Sequence, residues 1–148
     1  MKRVLLVEDN GSLSDDLKEK IDRNLGYFAE IAYSFTAAHG VWKEDRGNFD
    51  CIVLDLQIKP TGLDPDEVQD YYPVFGIAFL DKICEGKKSE ERAGIYKKII
   101  IYSGFTRELD DWKKRKPDNQ HLRNIVVMSK EKFGISNLMD KIKNVCER

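Results

Sequence analysis

Histidine is scarce in this chain, cysteine is sparse, and no apolar run is long, so several classes of protein fall away at once. The two histidines, His39 and His121, stand singly, without the clustered ligands of a metal site. Neither is a catalytic candidate. Cys51, Cys84 and Cys146 are odd in number and widely spaced among apolar neighbours. That spacing argues against a disulfide framework or a clustered zinc site, and for reduced, buried thiols. No glycine-rich phosphate loop for a nucleotide occurs. Met1-Lys2-Arg3 is followed by too few apolar residues for a signal peptide, and no later stretch approaches a membrane span. A cytoplasmic protein without membrane association is expected. An excess of charge is missing too. Twenty-five Lys and Arg against 26 Asp and Glu leave a net charge of -1, which implies no general attraction to nucleic acid. The run Lys113-Lys114-Arg115-Lys116 is short and lacks interleaved aromatics, and reads as a solvated helix end. Repeats and low-complexity linkers are absent.

What is present is enough apolar residue for one core. At 148 residues and 41% hydrophobic content, a single domain spanning 1–148 is expected. Five short apolar runs read as strands, at 3–7, 28–33, 51–56, 98–102 and 124–128. Between them lie helical patterns. Leu13, Leu17, Ile21 and Leu25 recur every four residues, and Ile135, Leu138, Met139, Ile142, Val145 and Cys146 trace one face of a final helix. Gly76, Phe79, Leu80 and Ile83 suggest a third helix. Ala38, Val41 and Trp42 mark a short one, and Leu109 with Trp112 a weak one. Trp42, Trp112, Phe79 and Phe133 read as packing residues. Strands alternating with helices imply a doubly wound α/β sandwich, with helices on both faces of a five-stranded parallel sheet. In the flavodoxin-like order 2-1-3-4-5, ligands sit beyond the carboxyl ends of the first and third strands.

Two connections are longer than such a fold requires. The one at 58–74 carries Pro60, Pro65 and Pro73, several acids and Tyr71-Tyr72, so it cannot be an ordinary helix throughout. It reads as a partner surface, a lid or a tolerated loop. The one at 85–96, with Lys87-Lys88 and Glu90-Glu91-Arg92, reads as a solvated surface excursion.

The strand ends carry the chemistry. Glu8 and Asp9 end the first run and Asp55 the third; Ser103-Gly104 follow the fourth and Ser129-Lys130 the fifth. A carboxylate nucleophile, two more acids for a hard cation such as magnesium, a hydroxyl for a phosphoryl oxygen and a neutralising ammonium are the parts of phosphoryl transfer to aspartate. Small Gly104 leaves room for the group transferred.

On these residues the chain resembles, over nearly its whole length, the receiver domain of bacterial two-component response regulators. That pattern is an acidic pair after strand one, aspartate after strand three, serine or threonine after strand four and lysine after strand five. The resemblance implies that Asp55 is the phosphoacceptor, taking its phosphoryl group from phosphohistidine on a sensor kinase or phosphotransfer protein. Asp9 would hold Mg2+ directly, Glu8 directly or through water, and the backbone carbonyl of Gln57 would complete the protein ligands. Ser103 and Lys130 would draw in toward the phosphate, and a downstream protein would read the altered surface.

Three departures stand out. Val127 lies three positions before Lys130, where many receivers carry an aromatic whose rotation reports phosphorylation. Glu131-Lys132-Phe133 replaces the usual proline and aromatic, which makes Lys132 a minor rival to Lys130. The 58–74 insertion is the third. A stand-alone response regulator is therefore expected, signalling through protein binding and not turning over a substrate. A phosphorylation-independent adaptor that uses the insertion is the alternative. An aspartate-nucleophile phosphatase is disfavoured, because it would normally place a second acid where Gln57 stands.

Overall fold

The computed structural model describes residues 1–116 and 119–148. Five strands, β1 (Arg3–Val7), β2 (Phe28–Ala32), β3 (Cys51–Leu54), β4 (Ile99–Ser103) and β5 (Val126–Ser129), form an all-parallel sheet in the order β2-β1-β3-β4-β5. The flavodoxin-like architecture expected from the alternating pattern is the one observed. Successive strand residues point to opposite faces, and both faces are buried. Leu5, Val7, Ile52, Leu54, Ile99 and Ile101 face one layer, while Val4, Leu6, Cys51, Val53, Ile100 and Tyr102 face the other.

The second layer is covered by α1 (Gly11–Lys20), its π-helical continuation (Ile21–Leu25) and the last helix, here α8 (Ile135–Cys146). The Asn10 side chain caps α1 by accepting from the Leu13 N–H at 3.1 Å. Gly26, at φ 68°, ends the π turn in the left-handed conformation that glycine adopts without cost.

The first layer holds α2 (Phe35–Glu44), α3 (Pro65–Tyr71), α4 (Gly76–Cys84), α5 (Ser89–Tyr96), α6 (Arg107–Lys114) and α7 (Asn119–Leu122). The proline-rich connection is helical in part only. Pro65 opens α3, Asp64 and Glu67 satisfy one another's backbone N–H groups in a capping box, and the helix ends before Pro73.

Three local expectations are corrected. The strand expected over 51–56 stops at Leu54, because Leu56 turns off the sheet and its carbonyl accepts from Gly76 N–H at 2.8 Å. Leu56 and Ile58 remain buried, as core residues outside the sheet. The 85–96 connection is exposed over residues 85–91 and at Gly94. From Ser89 onward it is α5, which buries Tyr96 against the first layer. Phe133, expected to pack, is 38% exposed. No helix among the described residues is long and apolar enough to cross a membrane.

Candidate functional site

The strand ends converge because the backbone hydrogen bonding of the sheet runs one rung past the strands. Asp55 N–H bonds the Val7 carbonyl at 2.9 Å, Glu8 N–H the Ala32 carbonyl at 3.0 Å and Lys130 N–H the Ser103 carbonyl at 3.1 Å. This register places an oxygen of each of Glu8, Asp9 and Asp55 within 4.8 Å of the others. Glu8 and Asp55 are buried, so their charges need partners.

Lys130 supplies one. Its Nζ lies 2.6 Å from Glu8 Oε1 and 3.0 Å from Asp55 Oδ2. Ser103 Oγ, fully buried, donates to Asp55 Oδ1 at 2.6 Å and accepts from Leu56 and Phe105 N–H at 3.4 and 3.1 Å. Asp55 Oδ1 also accepts from Gln57 N–H at 3.1 Å, and Glu8 Oε2 from Asn10 N–H at 3.2 Å. A Cβ built on Gly104 would meet nothing within 4 Å, so space is open beside Ser103.

Lys130 paired with Glu8 and Asp55, and Lys59 acting on Asp9 from farther off, leave three carboxylates short of positive charge. Burial raises the pKa of Glu8; Lys130 opposes this and the Asp55 charge adds to it. Burial and then Asp55 raise Asp9 as well, with Lys59 and Lys130 opposing. Burial would lower Lys130, but the Glu8 and Asp55 carboxylates outweigh it and hold the ammonium above its usual pKa. Hard oxygen donors with surplus negative charge suit a divalent cation that keeps most of its waters. Glu8, Asp9 and Asp55 are the side chains that could hold it.

The structure thus brings Glu8, Asp9, Asp55, Ser103 and Lys130 to one edge. Gln57 lies beside Asp55 through its N–H. Lys132 is exposed and Lys130 reaches both acids, so the rival lysine is set aside on geometry. Val127 is 37% exposed. Sequence reasoning passed over Asn10 and Tyr102. The Tyr102 hydroxyl donates to the Phe133 carbonyl at 2.9 Å, and its ring centroid is 5.8 Å from Lys130 Nζ. The only signal for it was a tyrosine directly before Ser103.

No protein-family model and no curated protein matches this chain. Solved structures do. The receiver domain of Francisella response regulator 1452 is 21% identical, with a TM-score of 0.62 over 100% of this chain and 98% of that one. The non-phosphorylated HemR receiver domain from Leptospira biflexa is 18% identical, with a TM-score of 0.66 over 100% and 96%. A CheY-like receiver domain protein from Methanospirillum hungatei is 20% identical, with a TM-score of 0.60 over 99% and 94%. The chain has the receiver fold of response regulators. At these identities the likeness establishes the fold, and the function has to be argued from the site.

Proposed function

We propose that the protein is a phosphoacceptor receiver in a two-component relay, taking a phosphoryl group onto Asp55. The observation that carries the reading is a buried aspartate bonded to both a hydroxyl and an ammonium beside two further acids. In the transfer, an Asp55 carboxylate oxygen forms a bond to phosphorus while the N–P bond of a phosphohistidine breaks. The leaving imidazole nitrogen keeps the bonding pair and takes a proton. The phosphoryl donor is a sensor histidine kinase or phosphotransfer protein, and the readout is altered binding to a downstream protein. A cytoplasmic setting and a single receiver domain over 1–148 belong to the same reading.

Mg2+ is the cofactor proposed, held by Glu8, Asp9, Asp55 and the backbone carbonyl of Gln57; when bound it supplies charge neutralisation for incoming phosphoryl oxygens. Ser103 and Lys130 already donate to the Asp55 carboxylate, so their role is to pass these bonds to the phosphoryl group. Turnover of an external phosphoester is not part of the reading, since Gln57 gives no second acid after Asp55.

Incubation with phosphoramidate or acetyl phosphate and Mg2+ should yield one acid-stable, base-labile phosphoryl adduct, absent in Asp55→Asn. The exposed Val127 favours a second reading, a phosphorylation-independent adaptor. Partner binding with no adduct from any donor would select it.

A further inference from the structure

We infer that Tyr102 is a positioning residue that holds Lys130, and the turn behind it, in line with Asp55. This rests on the phosphoacceptor reading above. The turn from Ser129 to Phe133 has little packing to hold it. Glu131, Lys132, Phe133 and Gly134 are all exposed, so hydrogen bonds decide where it sits. Within the turn, the Ser129 carbonyl accepts from Lys132 and Phe133 N–H at 3.2 and 3.0 Å, and Ser129 Oγ accepts from Glu131 N–H at 3.2 Å. Those bonds shape the turn without anchoring it.

Two bonds tie the turn to β4. Lys130 N–H bonds the Ser103 carbonyl, and the Tyr102 hydroxyl bonds the Phe133 carbonyl. Adjacent residues of one strand therefore grip both ends of the segment that carries Lys130. The gripping side chain is itself fixed, because the Tyr102 ring is 5% exposed and lies in the core layer beneath α8 with Met128 and Leu138. Its ring lies within cation–π range of the ammonium. The hydroxyl sets the turn and the ring flanks the path of the Lys130 side chain to Glu8 and Asp55. With Val127 on the surface of β5, it is the strand-four aromatic that reaches the lysine.

Tyr102→Phe separates the two parts by keeping the ring and removing the hydroxyl, whereas Tyr102→Leu removes both. Losing one neutral hydrogen bond should slow phosphorylation of Asp55 by phosphoramidate at saturating Mg2+ by about two- to tenfold, and Tyr102→Leu should slow it further. The effect should vanish in a Lys130→Ala background, because Tyr102 acts through that lysine. Amide hydrogen exchange over residues 131–137 should rise in Tyr102→Phe without any lysine variant, so the proposal stays testable if Lys130→Ala fails to fold. An unchanged rate in Tyr102→Phe, an equal slowing with and without Lys130, or unchanged exchange would each overturn the positioning role while leaving the phosphoacceptor reading standing. A wild-type chain that forms no adduct at all would overturn both.

Discussion

Two well-partnered aspartates invite comparison. Asp55 accepts from the Ser103 hydroxyl, the Gln57 N–H and the Lys130 ammonium. Asp81, on α4, accepts from the Tyr71 hydroxyl at 2.6 Å and the Trp112 indole N–H at 2.9 Å, and pairs with Lys116 Nζ at 2.6 Å. By hydrogen-bond inventory they are near equals. They differ in the charge that surrounds them. Asp81 receives three donors and ties α3 and α6 to α4; Lys82 adds a second tie to α3 through Glu67 at 3.1 Å. Asp55 shares its ammonium with Glu8 and crowds Asp9. Matched charge marks a structural joint, and surplus charge marks a place that can accept a cation and do chemistry. The joint also uses Tyr71 of the 58–74 insertion and Lys116, so the Lys113–Lys116 run, read from sequence as a solvated helix end, closes on an ion pair.

The sharpest way to break the comparison is to remove each carboxylate in turn. Asp55→Asn should abolish the phosphoryl adduct seen by mass spectrometry, while Asp81→Asn should still form it; an adduct surviving in Asp55→Asn would move the acceptor elsewhere. Stability should respond in the opposite sense. Asp81→Ala strands a tyrosine hydroxyl, an indole N–H and an ammonium, and should cost about 3 kcal/mol in urea unfolding, reduced from the fully buried case because Asp81 is partly solvated. Asp55→Asn should cost far less, since it relieves repulsion among the acids.

Mg2+ discriminates between the two sites next. A cation that binds only the folded acidic cluster at about a hundred times its dissociation constant stabilises by about 2.7 kcal/mol. Thermal unfolding should show this gain in the wild type and in Asp81→Asn, and lose it in Asp9→Asn. Gly76 links the two regions. A Cβ there would lie 2.5 Å from the Asp55 carbonyl oxygen and 2.8 Å from Leu56 Cα, so Gly76→Ala should push α4 off the Asp55 loop and destabilise by about 2 kcal/mol.

The smallest effect is electrostatic. The pKa values of Glu8 and Asp9 are raised above their ordinary 4.5 and 3.8, so the folded state holds those protons more tightly than the unfolded chain. Metal-free stability should therefore fall as pH rises through the window between those ordinary values and the raised folded ones. Asp9→Asn should flatten the fall and stabilise the metal-free protein by under about 1 kcal/mol, because Asp9 is partly solvated. Saturating Mg2+ should reverse the ranking. A wild-type protein whose metal-free stability climbs through that window would show that the carboxylates do not repel.

Much of the site was legible in the chain because its signals are local. Each of Glu8, Asp9, Asp55, Ser103 and Lys130 sits at the end of an apolar run, and a parallel sheet brings such ends to one edge. Asp81 and Tyr102 were not legible. Asp81 meets Trp112 across 31 positions, and Tyr102 meets Phe133 across 31 more. Nothing in the neighbouring residues marks either partner. The fate of α5 was hidden for a related reason, since its charged first half masks a second half that buries Tyr96.

By itself, the sequence determined the alternation of five strands with the helices that carry a clear apolar stripe, and which side chains stand at the strand ends, but not the helices α3, α5 and α7. Tertiary structure decided which charges are matched and which are in surplus. That balance depends on distances of a few ångströms between residues far apart in the chain, in a buried setting where each unpaired charge is costly.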